Sequence, residues 1–212
     1  MGMKINFVQN NVKFGSIPLY RATIKQRLFD CKEDTPADVF ISKLEHSDIP
    51  KLKKDEKEWM DTRYGELLME AMESINPDVI RFLENFSTIY AVEVPLSNGQ
   101  KQIRAMAEVT NEGNIKKLER IQVNNVACMP SYLKGAGSCL LYAIINDAQK
   151  EKRSEFYLYS NSAAMGFYKK NGLQQPNKND SKFVLPQKMF DKRLSKLEKK
   201  YSIQKINYGE NK

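Results

Sequence analysis

The sequence predicts a single α/β (α+β) domain, a mixed and mainly antiparallel sheet flanked by helices. Three observations carry this. Residues 88–128 hold three runs that alternate apolar and polar side chains, separated by turn residues. Gly135 and Gly137 then open a run whose apolar residues recur at helical spacing. After it come a short strand, a helix closed by glycine, a late strand and an amphipathic tail.

The composition suits such a domain. Of 212 residues 41% are apolar, with 10 Phe, 10 Tyr and one Trp, which is enough for a sizeable core and excludes wholesale disorder. Lys and Arg exceed Asp and Glu by 34 to 26, and a net charge of +8 suits an anionic partner. Nucleic acid, a membrane surface and a phosphate-rich cofactor all qualify. Cys31, Cys128 and Cys139 are odd in number and share no metal-ligand spacing, so neither a disulfide scaffold nor a metal site is expected. The chemistry reads as reduced and cytoplasmic. The longest apolar run, Cys139 to Ile145, is far short of the roughly 20 residues of a membrane span. Met1 to Phe7 lacks the apolar stretch of a secretory signal, and Asn6 stands where myristoylation wants Ser or Thr. His46, the single histidine, leaves a Ser-His-Asp or Cys-His mechanism only one possible base, and it reads as a surface residue.

Taken in order, the chain starts with one strand around Ile17 to Ile24. Thr35-Pro36-Ala37-Asp38 predicts a helix start, a hydroxyl N-cap with proline in the first turn. Tyr64, Leu67, Leu68, Ala71, Met72 and Ile75 predict an amphipathic helix, and Asn76-Pro77-Asp78 a further helix start. Thr35 to Phe86 carries 12 acidic and 7 basic residues, the acidic part of a basic protein. Thr88 to Leu96 and Ile103 to Val109 alternate about the hairpin pair Asn98-Gly99. Asn111-Glu112-Gly113-Asn114 turns the chain into a third strand, Leu118 to Cys128. Leu140, Leu141, Ile144, Ile145 and Ala148 mark a helix, Glu155 to Tyr159 a strand, and Ser162 to Asn171 a helix with Gly172 as its C-cap. Phe183-Val184-Leu185 is the last strand. From Pro176 onward 10 basic residues face 4 acids, and Phe190, Leu194, Leu197 and Tyr201 form one helical stripe, for docking on the body or on a partner. The expected organisation is one domain: 1–86 as an N-terminal strand and helical region, 87–186 as the core, and 187–212 as a basic helix.

The first candidate site is Met129-Pro130-Ser131-Tyr132-Leu133-Lys134-Gly135-Ala136-Gly137-Ser138. A strand that ends in glycines and opens a helix aims free backbone N–H groups, and the positive end of the helix dipole, at one spot. An anion is the natural occupant, and Lys134 adds charge. It is not a P-loop, for no Lys-Ser/Thr pair closes it, and Leu140 fills the third glycine position of a dinucleotide fingerprint. As a bare glycine turn it would do no chemistry.

Downstream lies Asn161-Ser162-Ala163-Ala164-Met165-Gly166-Phe167-Tyr168-Lys169-Lys170-Asn171-Gly172-Leu173. The Lys-Gly-Ala-Gly loop opening a helix, followed by a strand and this N-x-x-A-x-x-F-Y-x-x-x-G-L run, resembles the GNAT superfamily of acyl-CoA N-acyltransferases. The resemblance covers Thr88 to Leu185. The family's Q/R-x-x-G-x-G/A loop falls on Tyr132 to Gly137: the glycines match, Tyr132 departs from the leading Gln or Arg, and Pro130 lies one residue closer than usual.

The resemblance implies acetyl-CoA as co-substrate and an N-acetyltransferase activity. Backbone N–H groups of Leu133, Lys134, Gly135, Ala136, Gly137 and Ser138 would hold the pyrophosphate. Cys128 and Met129 would run beside the pantetheine and offer an N–H to the thioester carbonyl. Asn161 matches the residue that holds the pantetheine arm, and Tyr168 the tyrosine that protonates the leaving thiolate. Leu173 replaces the usual Phe, a change in packing.

Such chemistry needs neither a metal nor a covalent intermediate. A lysine-like amine, pKa about 10.4, must lose a proton before attack, and Glu119 or Glu108 on the central strands is the candidate base. Both also suit solvated strand positions. A phenol of pKa about 10 is an acid at neutral pH. The acceptor is expected to be an amine, on a protein lysine or N-terminus or on a small polyamine-like molecule, with the acidic segment favouring a basic one. The rival expectation is a catalytically weak binding module of the same fold, using its basic tail on nucleic acid or an acidic protein. Cys128 and Cys139 fill space as small apolar residues.

Overall fold

A computed structural model describes residues 17–28, 32–44, 87–97, 99, 101–123 and 131–208. The helices expected between 45 and 86, His46, Cys128 and Met129 lie outside the described residues. Nine strands and three α-helices follow one another among the described residues. They are β1 (Ile17–Leu28), β2 (Thr35–Leu44), β3 (Ser87–Pro95), β4 (Lys101–Glu112), β5 (Ile115–Val123), β6 (Ser131–Lys134), α1 (Ala136–Lys150), β7 (Glu155–Tyr159), α2 (Met165–Lys170), β8 (Lys182–Pro186), α3 (Phe190–Tyr201) and β9 (Gln204–Lys205).

The strands form one sheet in the order β6-β1-β2-β3-β4-β5-β7-β8, with β9 also on β1. Every pairing is antiparallel except β5 with β7, which α1 connects as a crossover. The architecture is therefore a mixed, mainly antiparallel sheet with helices packed on it, as the sequence predicts. The central meander forms because its alternation places Tyr90 and Val92, Ala105, Ala107 and Val109, and Leu118 on one buried face. Its turns use Gly99 and Gly113, both at positive φ, where a side chain would strain the backbone.

That face packs against α1, whose Leu140, Leu141, Ile144 and Ile145 are fully buried. Helix α3 lies beside α1 through Phe190, Leu194, Leu197 and Tyr201, so the apolar stripe of the tail docks on the body of the protein.

One expectation is overturned. Thr35-Pro36-Ala37-Asp38 begins a strand, not a helix. Thr35 to Val39 pair with Gln26 to Ala22 of β1, and Val39 and Ile41 alternate into the core. Asp38 does not cap a helix: its carboxylate accepts from Thr23 Oγ1 at 3.0 Å and from Arg21. Pro36 is tolerated because β3 pairs with β2 only from Phe40 onward, so the missing N–H faces an unpaired edge. Long-range pairing outweighed a local capping signal. The first strand also runs four residues beyond Ile24, to Leu28, because β2 and β6 both pair with its second half.

Candidate active site

The glycine segment follows the predicted pattern of strand, glycine, helix. Strand β6 places Leu133 and Lys134 in register with Gln26 and Lys25. Gly135 turns the chain at φ +116, and α1 begins at Ala136. The first intrahelical bond runs from the Cys139 N–H to the Gly135 carbonyl at 3.0 Å. The N–H groups of Ala136, Gly137 and Ser138 therefore have no acceptor within the helix. No side chain caps this end, and the first turn holds no acid. Ser138, the residue nearest in type to a cap, donates its hydroxyl to Asn171 Oδ1 at 3.0 Å. A helix end left uncapped, with a glycine before it, is chemically fitted to an anionic group such as a diphosphate.

The Lys134 side chain already has a partner. Its ammonium is 3.0 Å from both Asp34 carboxylate oxygens, which also accept from Arg27 at 2.8 Å. The Lys134 hydrogen bond comes first among the influences that hold the Asp34 carboxyl below its ordinary range. Lys134 thus closes the β1–β2 connection onto β6, and its charge is already engaged.

The second motif sits next to the first. Asn161 caps the 3₁₀ turn Ser162–Ala164, its Oδ1 accepting from the Ala164 N–H at 2.9 Å, and the residue is exposed. Tyr168 lies on α2 with its ring packed edge-on to Phe167 at 5.0 Å and tilted on Phe183 at 5.7 Å. Burial pushes its phenol up to about 12, so it keeps its proton at neutral pH. The helix ends at Asn171, whose Nδ2 donates to the Phe167 carbonyl at 2.9 Å while Oδ1 holds Ser138. Asn171 therefore couples the end of α2 to the first turn of α1.

The two candidate bases stand on adjacent strands. Glu108 of β4 stands opposite Arg120, and Val109 stands opposite Leu118, so Glu119 is the extra residue of a β-bulge in β5. Pairing of β5 with β7 runs from Ile115 with Glu155 only as far as Leu118 with Leu158. Strand β5 continues to Val123, whereas β7 ends at Tyr159, so past the bulge β5 is paired with β4 alone among the described strands. Glu119 directly follows the last residue of β5 that pairs with β7, and Glu108 stands on β4, across the other edge of β5.

Residues outside both motifs complete this end of the molecule. Arg193 Nη2 donates to Asn171 Oδ1 at 2.7 Å, and the Tyr201 ring covers Gly135. The signal available in sequence was an arginine beside the apolar stripe of a tail whose other cations are lysines. Among the described residues no cluster of His, Cys, Asp and Glu could hold a metal, and no helix is long and apolar enough to cross a membrane.

No family model matches the chain, and no curated protein matches it. Solved structures do. The PaiA N-acetyltransferase of Thermoplasma acidophilum, in complex with coenzyme A, is 20% identical with a TM-score of 0.46, covering 69% of this chain and 96% of that one. A GNAT-family acetyltransferase from Staphylococcus aureus Mu50 is 14% identical with a TM-score of 0.46, covering 70% and 99%. AtaTR bound with acetyl-CoA is 15% identical with a TM-score of 0.41, covering 53% and 75%.

Proposed function

We propose that this protein is an acyl-CoA-dependent N-acyltransferase that moves an acetyl group from acetyl-CoA directly to an amine. One observation carries the reading. The uncapped, acid-free start of α1 and the proton-bearing Tyr168 are joined through Asn171, at a glycine loop and a helix that together match the motifs of the GNAT superfamily.

Acetyl-CoA supplies the acyl group as a thioester. The N–H groups of Ala136, Gly137 and Ser138 bind its diphosphate, and Gly135 keeps side-chain bulk away from that end of the loop. Asn161 spends its carbonyl oxygen on the cap, which leaves its exposed amide NH₂ for the pantetheine arm. The segment 128–129, after β5, takes the thioester carbonyl in this reading. Tyr168 donates the proton that the departing thiolate needs, and Glu108 or Glu119 takes the proton from the amine. Two carboxylates near the bulge and a phenol held neutral by burial divide the base and acid work between them.

The acceptor is proposed to be a basic amine, on a protein lysine or N-terminus or a polyamine-like molecule, because the 35–86 segment is acidic by five charges. A reducing compartment such as the cytoplasm suits the free, buried Cys139.

Isothermal titration with acetyl-CoA tests the donor, and labelled acetyl-CoA offered to amines, peptides and proteins tests the acceptor. Saturable binding and transfer of label to an amine are expected. No binding at millimolar acetyl-CoA, together with salt-dependent binding to nucleic acid, would replace this reading with that of a binding module.

A further inference from the structure

The basic C-terminal helix has a feature that its lysines do not share. Lys192, Lys196, Lys199 and Lys200 are exposed, whereas Arg193 is only 7% exposed. Its guanidinium has one described hydrogen-bond partner, the neutral amide oxygen of Asn171, and its Nε is buried without any. No carboxylate pairs with it among the described residues. A buried cation without a counter-ion is costly, and proteins rarely keep one to no purpose. Burial accordingly lowers the guanidinium pKa, with the Tyr201 phenol acting the other way.

What surrounds Arg193 indicates the missing anion. Its side chain crosses Gly172, with Cδ and Nη1 each 3.4 Å from where a Cβ on that glycine would stand. The same Asn171 oxygen that accepts from Arg193 at 2.7 Å accepts from Ser138 at 3.0 Å, so one atom links the guanidinium to the third residue of α1. The three unpaired N–H groups of that first turn and the buried arginine thus belong to one electropositive locus. Tyr201, two turns further along α3, closes its other side over Gly135.

We infer that Arg193 supplies the fixed positive charge of the diphosphate site, so that helix α3 is a working part of the acyl-CoA site. This rests on the reading of the α1 N-terminus as the place where acyl-CoA binds. It adds to that reading a cation from outside the matched motifs, in the role that Lys134 cannot fill while it holds Asp34. The charge acts on the ligand across the first turn and through Asn171, and it makes affinity depend on the ligand's phosphates.

The test compares three donors by titration on the full chain: acetyl-CoA, 3′-dephospho-acetyl-CoA and phosphate-free S-acetyl-pantetheine. In the unaltered protein the first two bind more tightly than the third. Arg193→Gln keeps an NH₂ for Asn171 and removes the charge. It should lower the affinity of acetyl-CoA relative to acetyl-pantetheine by about tenfold or more, and do the same for the dephospho form. Arg193→Lys should keep most of the preference. Equal loss for all three donors would assign Arg193 a purely structural role and overturn the inference. Loss confined to acetyl-CoA would place the charge at the 3′-phosphate and overturn the diphosphate assignment. If Arg193→Gln does not fold, Arg193→Met, uncharged and of similar length, makes the same comparison, since a charge role predicts loss of the preference and a structural role predicts uniform loss. Failure of the unaltered protein to bind any donor would remove the acyl-CoA reading itself, whereas normal binding with an unchanged preference in Arg193→Gln would remove only this inference.

Discussion

Tyr201 holds the edge of its ring against Gly135: a Cβ built on that glycine would stand 2.6 Å from Cε1 of the tyrosine. The contact joins the last turn of α3 to the residue that starts α1, and it explains why position 135 has no room for a side chain. Gly135 also sits at φ +116, outside what L-residues adopt without strain.

Gly135→Ala should therefore destabilise the protein by roughly 1–3 kcal/mol and weaken acetyl-CoA binding. Gly166→Ala provides the opposite sign. It lies within α2, nothing stands within 4 Å of its added Cβ, and the gain in helix propensity should stabilise by about 0.5–1 kcal/mol. Urea denaturation of the two variants checks both, and a Gly135→Ala protein as stable as the original would refute the packing account.

Tyr168→Phe should lower kcat by roughly a hundredfold while changing the affinity for acetyl-CoA little, since it removes a proton donor and keeps the ring on Phe183. The phenol is held up to about 12, so ionisation of Tyr168 should add no alkaline fall to the rate profile below about pH 11. Steady-state kinetics from pH 6 to 10 measure both. Equal losses in turnover and affinity would mean that the tyrosine packs but does not donate.

Lys116 is 1% exposed and ties β5 to the far end of α1, its ammonium 2.8 Å from Glu151 and 3.9 Å from Asp147. Burial raises the Glu151 carboxyl, but the hydrogen bond from Lys116, then that from Arg153, outweigh it and hold the group below 4.5. A carboxyl lowered on folding contributes stability above its unfolded pKa and loses it as pH falls through the folded value. Stability should therefore decline below about pH 4.5 on this account. Lys116→Met should cost about 1–3 kcal/mol at pH 7, because it leaves two partly buried carboxylates short of a cation, and less at pH 3.5. Denaturation curves at the two pH values test this. A cost that does not shrink in acid would mean that packing, not charge, is what Lys116 provides.

Cys139 is fully buried in α1, and burial pushes its thiol up to about 12. In the native protein it should resist iodoacetamide at pH 8 and react only in denaturant. Mass spectrometry of the peptide containing Cys139 reads this directly. Rapid native labelling at that residue would contradict its burial.

Much of the sheet could be read from residue order because its signals are local. Alternation along Thr88 to Val109, glycines where φ must be positive, and apolar spacing from Leu140 to Ala148 each act within a few residues. The failure at Thr35 came where a local signal met a distant partner: β1 offered a pairing edge to residues that, alone, look like a helix cap. The ion pair of Lys134 is hidden from residue order for the same reason, since Asp34 lies one hundred positions away.

The candidate site divides along the same line. The sequence by itself determined the glycine loop, the helix behind it, the Tyr168 helix and the alternation that places Glu108 and Glu119 on adjacent strands, all through backbone preferences of short reach. Only the tertiary structure decided that Glu119 is a bulge residue, that β5 pairs with β7 only as far as Leu118, and that Asn171 joins two motifs to Arg193. Those relationships depend on packing α1, α2 and α3 on one sheet. The energy of a buried guanidinium or an uncapped helix end is set by neighbours that the chain brings together only when it folds.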